Sequence, residues 1–69
     1  MYQRIKDLRE DKDLLQSDIA KILNITQQQY SNIESGKSEI RADQLIILSI
    51  FYNRTTDYIL GLTNNPKKN

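Results

Sequence analysis

The sequence predicts an all-α protein, and three observations support this fold class. The first 35 residues contain neither glycine nor proline, since glycine occurs only at positions 36 and 61 and proline only at position 66. Apolar residues recur at the spacing of one helical face along most of the chain. Only one run, LIILSIF at residues 45–51, resembles a strand. A single strand would leave its backbone groups unpaired, so five helices are expected instead.

Apolar side chains at helical spacing predict the first two helices. Ile5 and Leu8 indicate a helix over about residues 2–12. A second helix over about residues 16–23 follows from four apolar residues at helical spacing, namely Ile19, Ala20, Ile22 and Leu23. Asn24 is expected to end it, because asparagine tolerates the left-handed conformation found at helix ends.

The remaining helices are predicted mainly from the residues that flank them. Thr26 can accept a hydrogen bond from an unpaired amide, and Gly36 suits a helix end, so a third helix is expected over about residues 27–35. RADQLIILSIFYN predicts a fourth helix over about residues 42–52. TTDYILGL predicts a short fifth helix that is capped by Thr55 or Thr56 and closed by Gly61.

Composition limits the classes of function. The 69 residues are expected to form one domain over residues 1–62, followed by a polar flexible tail over residues 63–69. The chain has no cysteine and no histidine, so we expect no enzyme, no metal site and no cofactor. No signal peptide or membrane span is predicted, which favours a cytoplasmic protein without membrane contact. The net charge is only +1, so any binding to nucleic acid must depend on where the charges lie.

The third predicted helix carries an unusual outward face. At about 100° per residue, Tyr30 and Ile33 share one side, and uncharged polar residues lie opposite them, namely Gln28, Ser31, Asn32 and Ser35, with Gln27 at the edge. A carboxamide presents a donor beside an acceptor, which matches the N6 and N7 atoms of adenine in the major groove of DNA. The alternative is a polar face that only contacts water.

The segment LLQSDIAKILNITQQQYSNIESGK closely resembles the Xre-like helix-turn-helix family, which includes the lambdoid phage repressors. The matching positions are Gln16, Ile19 with Ala20, Asn24 with Ile25, Ile33 with Glu34, and Gly36. The resemblance covers about residues 4–61 and implies a compact five-helix repressor-like domain, with the helix-turn-helix formed by its second and third helices. Leu15 departs from the family pattern because it replaces the usual Ser or Thr cap. Asp13 and Asn24 replace glycines that are usual at two turns.

The resemblance implies roles for individual residues in DNA binding. Thr26, Gln27, Gln28 and Asn32 are expected to contact bases, with Gln29 and Ser31 as auxiliary contacts. Gln16 is expected to bind a phosphate and to brace Gln27. The loop after the third helix is expected to contact the DNA backbone through Lys37, Ser38 and Arg41, although a charged loop can also be merely solvated.

The resemblance also implies an ion pair between Arg9 and Glu34. The alternative is two unrelated surface charges with little effect on stability. If the pair is shielded from water, loss of one partner leaves the other charge buried and uncompensated. The pair would then be structural and would not contact bases.

An apolar surplus on the fourth helix suggests self-association. The family pattern turns Leu45, Leu48, Ser49 and Tyr52 toward the core and leaves Ile47, Ile50 and Phe51 outside. Because family members commonly dimerise through the fifth helix and the segment before it, we expect a homodimer on palindromic DNA. Its interface would comprise Ile47, Ile50, Phe51, Arg54, Tyr58 and Leu62. The alternative is that the surplus on the fourth helix packs under the first helix or the tail.

Together these patterns indicate a regulator of transcription that binds specific double-stranded DNA, most simply a repressor. The competing interpretation is an antitoxin-like or other protein-interaction module on the same fold. The uncharged amides of the third helix favour the first, because protein interfaces are richer in aromatic residues and arginine.

Overall fold

The computed structural model describes residues 3–63. Five helices follow one another along the chain: α1 (Gln3–Asp11), α2 (Gln16–Leu23), α3 (Gln27–Ser35), α4 (Ala42–Tyr52) and α5 (Thr56–Ile59). All regular structure in this range is helical, which confirms the all-α class, and the strand alternative for residues 45–51 is wrong. None of these helices is long and apolar enough to cross a bilayer. Of the predicted tail over residues 63–69, only Thr63 lies within the described residues.

The predicted bounds of α2, α3 and α4 are confirmed, whereas α1 ends at Asp11 and not at Lys12. The amides of Lys12 and Asp13 bond to carbonyls three residues back, at 3.2 and 3.0 Å. Asp13 then adopts a left-handed conformation with φ of 55°. This reversal ends the helix because the left-handed conformation cannot continue a right-handed one.

Side-chain caps define where the helices begin. The Thr26 hydroxyl accepts the backbone N–H of Gln29 at 3.0 Å, and the Gln29 side-chain oxygen accepts the N–H of Thr26 at 2.9 Å. The Thr55 hydroxyl accepts the N–H of Tyr58 at 3.0 Å, so Thr55 is the cap of α5. Leu15 provides no side-chain cap, as expected. Instead its N–H donates to the Asp18 carboxylate at 2.9 Å. This bond is one half of a capping box, and the half that a Ser or Thr side chain would supply is missing.

Left-handed residues define where α2, α3 and α4 end. Asn24, at the end of α2, has φ of 58°, and Gly36, at the end of α3, has φ of 86°. Asn53 ends α4 in the same way with φ of 54°. Asparagine and glycine adopt this conformation more readily than other residues, so each of these helices ends with little backbone strain.

The core draws residues from all five helices. Its buried apolar members are Ile5, Ile19, Ala20, Leu23, Tyr30, Ile33, Leu48, Tyr52 and Ile59. Packing is closest between α2 and α3, while α1 contacts α3 and α5, and α4 contacts α2 and α5. Each fully buried large side chain contributes about 1.5–3 kcal/mol through removal of apolar surface from water. This small core therefore positions α3 against the other helices.

Arg4 connects the first helix to the end of the domain. Its guanidinium lies 4.1 Å from the centre of the Tyr58 ring and donates to the Tyr58 carbonyl at 2.8 Å. The same nitrogen donates to the Thr63 carbonyl. One side chain of α1 thus stabilises the short helix α5 and the segment that follows it.

The outward side chains of α4 are not covered by α1. Leu48, Ser49 and Tyr52 are buried and Leu45 is partly buried, as expected. Ile47, Ile50 and Phe51 remain exposed, so the alternative in which they complete the core under α1 is wrong. Ile47 and Ile50 point away from the core because they lie on the opposite side of the helix from its buried residues, whereas Phe51 lies at the edge, with its ring centre 5.0 Å from that of buried Tyr52.

Candidate nucleic-acid interface

The outward face of α3 is rigidly held and chemically uncharged. Tyr30 and Ile33 are 0% and 4% exposed and fix the inner side of the helix in the core. Four polar residues on its outer side are exposed, namely Gln27, Gln28, Gln29 and Ser35, and Ser31 and Asn32 are half-buried. Because these side chains project from an anchored helix, the backbone positions from which they project are well defined relative to the fold.

The amides on this face differ in their hydrogen bonds. Gln28 Nε2 donates to Asn32 Oδ1 at 3.0 Å, so these two residues are already aligned along one side of the helix. Gln27 is exposed, and its amide forms no hydrogen bond within residues 3–63. Both the donor and the acceptor of Gln27 are therefore available to a ligand, whereas Gln28 and Asn32 must share or exchange their mutual bond.

The cap of α3 limits two other candidate contacts. The Thr26 hydroxyl and the Gln29 side-chain oxygen bond to each other's backbone N–H groups. Gln29 can therefore offer only its NH2 group to DNA without weakening the helix start. Thr26 still presents its methyl group, which is the part expected to contact a thymine.

Gln16 has a different partner from the one expected. Its Nε2 donates to Glu34 Oε1 at 3.1 Å, and no hydrogen bond joins it to Gln27 in the described part of the chain. The expected brace on Gln27 is absent because the Glu34 carboxylate, at the end of α3, is a stronger acceptor than a neutral amide. Gln16 thus links α2 to the end of α3, not to its start.

Arg9 and Glu34 form the ion pair that the resemblance implies. Arg9 Nε lies 2.6 Å from Glu34 Oε2, and Arg9 Nη2 lies 3.2 Å from Oε1. Their side chains are only 12% and 5% exposed. Arg9 Nη1 also donates to the Leu14 carbonyl at 2.8 Å. The pair therefore joins α1, the α1–α2 connection and α3 at a site that is largely shielded from solvent.

The ion pair sets the charge state of the groups around it. Burial alone would raise the pKa of Glu34, but hydrogen bonds, chiefly from Arg9, outweigh burial and hold that pKa below its ordinary value. Burial and the nearby Glu34 carboxylate raise the pKa of Tyr30. The same two causes raise the pKa of Tyr52 to about 12. Glu34 is thus a carboxylate and both tyrosines are neutral near pH 7.

The loop after α3 contains one lysine that forms no ion pair with a described residue. Lys37 is exposed and forms no ion pair within the described residues. Arg41, by contrast, binds the Asp43 carboxylate through Nε and Nη2, at 3.1 and 2.9 Å. The backbone N–H groups of Lys37 and Ser38 both donate to the Asn32 carbonyl. The Lys37 side chain and the Ser38 hydroxyl are therefore the more accessible groups for a phosphate.

The exposed apolar residues of α4 form a contiguous surface, here named the α4 patch, which comprises Ile46, Ile47, Ile50 and Phe51. Their exposed fractions are 55%, 37%, 68% and 38%. Ile46 was not among the residues expected on this surface. Its position one turn before Ile50 is the signal that identifies it, because residues four apart share a helical face.

The other residues expected at a dimer interface differ in accessibility. Leu62 is 74% exposed. The Tyr58 ring is half-buried beneath the Arg4 guanidinium. Arg54 is half-buried, and its Nη1 donates to the Asn53 carbonyl at 3.0 Å. Leu62 and the α4 patch are therefore the accessible apolar parts of this surface.

Comparison with known proteins gives two kinds of match. The sequence model of a family described as Helix-turn-helix matches residues 5–59. The uncharacterized HTH-type transcriptional regulator YobD of Bacillus subtilis (strain 168) is 36% identical over 67 residues, which cover 96% of this chain and 60% of that protein. The HTH-type transcriptional regulator ImmR of the same organism is 37% identical over 67 residues, which cover 97% of this chain and 53% of that protein. The chain thus spans only about half to three fifths of these relatives. No solved structure matches it.

Proposed function

This chain belongs to the Xre-like helix-turn-helix family, and on that premise we propose that it regulates transcription by binding specific sequences in double-stranded DNA. The names of both relatives describe transcriptional regulators, which supports this assignment. The observation that carries the proposal is the outward face of α3. It combines exposed uncharged amides with an inner side that is fixed in the core.

The size and chemistry of α3 suit the major groove. Its nine residues span about 13.5 Å, and a helix about 10–12 Å across fits a groove about 12 Å wide. In this mode the bases are contacted by Gln27, Gln28 and Asn32, with the Thr26 methyl against a thymine. Gln27 is the best placed of the amides because both its donor and its acceptor are unoccupied within the described residues. Half-sites that contain A·T pairs are therefore expected.

Backbone contacts hold α3 in register without reading sequence. Lys37 and Ser38 occupy the loop at the end of the helix, where they can meet a phosphate. Gln16 retains one N–H of its NH2 group after donating to Glu34, so it can still contact a phosphate from α2. Arg41 contributes if its exposed pair with Asp43 opens, which costs little because such pairs add at most about 1 kcal/mol.

We infer further that the chain acts as a symmetric homodimer on a palindromic operator and represses transcription by occluding a promoter. One module is expected to neutralise only a few phosphates, since Lys37 and Arg41 are its expected cationic contacts, so combining two half-sites raises affinity and specificity. Leu62 and the α4 patch supply the apolar surface for self-association. Arg54 and Tyr58 are expected at the edge of this interface, as both are half-buried in the monomer.

The α4 patch also favours a second candidate function, an antitoxin-like module whose patch binds a different protein. Four large apolar residues on neighbouring turns suit a protein partner as well as a second copy. The two functions differ in what the amides of α3 do. In the second, these amides need not contact bases, and DNA binding is absent or insensitive to sequence.

Selection of binding sites from random duplex DNA tests the proposed function. The expected result is enrichment of an inverted repeat with A·T pairs and half-site centres about 34 Å apart. An unenriched pool would contradict sequence-specific binding and leave the protein-interaction module as the better candidate.

A further inference from the structure

A cleft lies between α1 and α3, beside the outward face of α3. Its volume is about 400 Å³, and it opens to solvent. Residues from three helices line it: Gln3, Lys6, Arg9, Gln16, Ser31, Glu34 and Ser35. We refer to it as the α1–α3 cleft.

Lys6 gives this cleft a net positive charge. The buried lining groups, Arg9 and Glu34, form an ion pair and neutralise each other. Lys6 is exposed and forms no ion pair or hydrogen bond within residues 3–63. Because the nearest lining charges cancel, the ammonium of Lys6 is the uncompensated charge of the cleft.

The other lining groups are suited to an oxyanion. Ser31 contributes a hydroxyl from a half-buried position on α3. Gln16 donates one N–H to Glu34 at 3.1 Å and has a second N–H available, because a carboxamide has two donors. Hydroxyl and amide donors beside an ammonium are the groups that commonly bind phosphate oxygens.

The location of the cleft relative to α3 suggests where the anion comes from. Ser31 lies one turn after Gln28 and Ser35 one turn after Asn32 on the helix surface, so the cleft adjoins the face that carries the amides. When a helix fills a major groove of nearly its own width, the phosphates of the two strands pass along its two sides. Lys37 and Ser38 lie in the loop at the end of the helix, whereas Lys6 lies on the α1 side.

We propose that the α1–α3 cleft receives one phosphodiester group of the DNA backbone and that Lys6 supplies its positive charge. This inference rests on the proposed function and adds a contact from α1 to those expected from α2 and the loop. The contact fixes the orientation of α3 in the groove and conveys no sequence information.

The salt dependence of DNA binding tests the role of Lys6. Lys6→Gln removes the charge at an exposed position, so its thermal unfolding should match that of the wild type. Its slope of log affinity against log salt should be smaller by about 0.9, on both the selected operator and a random duplex. When salt is raised from about 50 to about 200 mM, the fold loss of affinity should therefore be about threefold smaller for the variant than for the wild type.

Lys21→Gln is the matched control. Lys21 is an exposed lysine of α2 outside the cleft, so its replacement lowers the net charge equally without removing the contact. Operators in which single phosphates are replaced by neutral methylphosphonates locate the contact. At one backbone position the replacement should weaken the wild type and leave Lys6→Gln unaffected.

The outcomes separate this inference from the proposed function. Equal salt slopes for Lys6→Gln and Lys21→Gln, with a wild type that binds its operator, would overturn the phosphate contact alone. A wild type that prefers no duplex would overturn the proposed function and the contact together. Inorganic phosphate that shifts the amide NMR signals of Lys6 and Ser31, without any methylphosphonate effect, would assign the cleft to a free anion and overturn the DNA contact.

Discussion

Gln27 and Gln28 are neighbours in the sequence, but their side chains have different hydrogen bonds in the folded chain. Gln28 is bonded to Asn32 at 3.0 Å, and Gln27 is free within the described residues. The Gln28–Asn32 bond holds two amides in line along the helix, which would reduce the rotamer entropy lost in the proposed contact with adjacent bases. Gln29 is committed to the helix cap. Three glutamines on one short helix therefore differ in their hydrogen bonds.

Gln28→Ala should weaken binding to the selected operator by about 1–3 kcal/mol and relax the preference at one or two base pairs. Binding to random duplex should change much less, because backbone contacts dominate there. Titration of both duplexes at one salt concentration measures the difference. A loss of equal size on the two duplexes would show that Gln28 does not read bases.

Glu34→Gln should destabilise the fold near pH 7, and this loss should shrink in acid. The folded pKa of Glu34 lies below its unfolded value of roughly 4.3, so its charged form contributes stability that is fully present above the unfolded pKa. That contribution is lost as the pH falls through the folded pKa. Urea denaturation of both proteins, from neutral pH to below the folded pKa of Glu34, measures the difference in their free energies of unfolding. A difference in free energy of unfolding that stays constant with pH would contradict the role of the carboxylate.

At the scale of whole elements, α3 depends on its neighbours for its position. Arg9 of α1 and Gln16 of α2 both bond to Glu34 at the end of α3, and Arg9 also bonds to the Leu14 carbonyl. The start of α3 is fixed by its own cap, which is entirely local. The helix is therefore anchored at one end by sequence neighbours and at the other by tertiary contacts.

Arg9→Ala should lower the free energy of unfolding by more than about 1 kcal/mol, because it leaves the Glu34 carboxylate buried without its partner. Arg41→Ala is the matched control, since Arg41 also pairs with a carboxylate but at a site that is 69% exposed. Its effect should stay within about 1 kcal/mol. The midpoints of urea denaturation, compared at equal m-value, measure the effects of both substitutions. If Arg9→Ala has the wild-type midpoint, the pair does not stabilise the fold.

For the molecule as a whole, α4 divides its apolar residues between the core and the exposed α4 patch. Chains below about 70–80 residues obtain only about 3–5 kcal/mol from one core. α4 commits Leu48 and Tyr52 to that core and leaves the α4 patch exposed to water. Covering the patch in a dimer would remove more apolar surface from water and so couple folding to association.

Ile50→Asp should prevent the proposed dimer without unfolding the monomer, because Ile50 is 68% exposed and a charge at a buried interface is costly. Leu15→Asp is the control, since Leu15 is similarly exposed at 66% but lies at the start of α2, outside the α4 patch. Sedimentation with and without the palindromic operator measures the state of association. A wild type that remains monomeric on saturated operator would exclude the dimer.

Local sequence by itself determined where α2, α3 and α4 begin and end. The bounds of α2, α3 and α4, the Thr26 cap and the turn at Asn24 could all be predicted, whereas the turn at Asp13 was expected only through resemblance to a family. Each depends on backbone and side-chain groups within about four residues of one another, so a linear pattern contains the necessary information. The Arg9–Glu34 pair was expected only through resemblance to a family, because 25 positions separate its members.

Only the tertiary structure decided which partners distant groups have and which apolar side chains stay exposed. The bond from Gln16 to Glu34 joins positions 18 apart, and the α1–α3 cleft depends on how two helices pack. α4 shows most clearly what the sequence pattern cannot decide, because large apolar residues occur on all sides of this helix. A helical wheel then cannot distinguish the buried side from the open one. The packing of neighbouring helices makes that choice, since each helix can be covered only where another element contacts it.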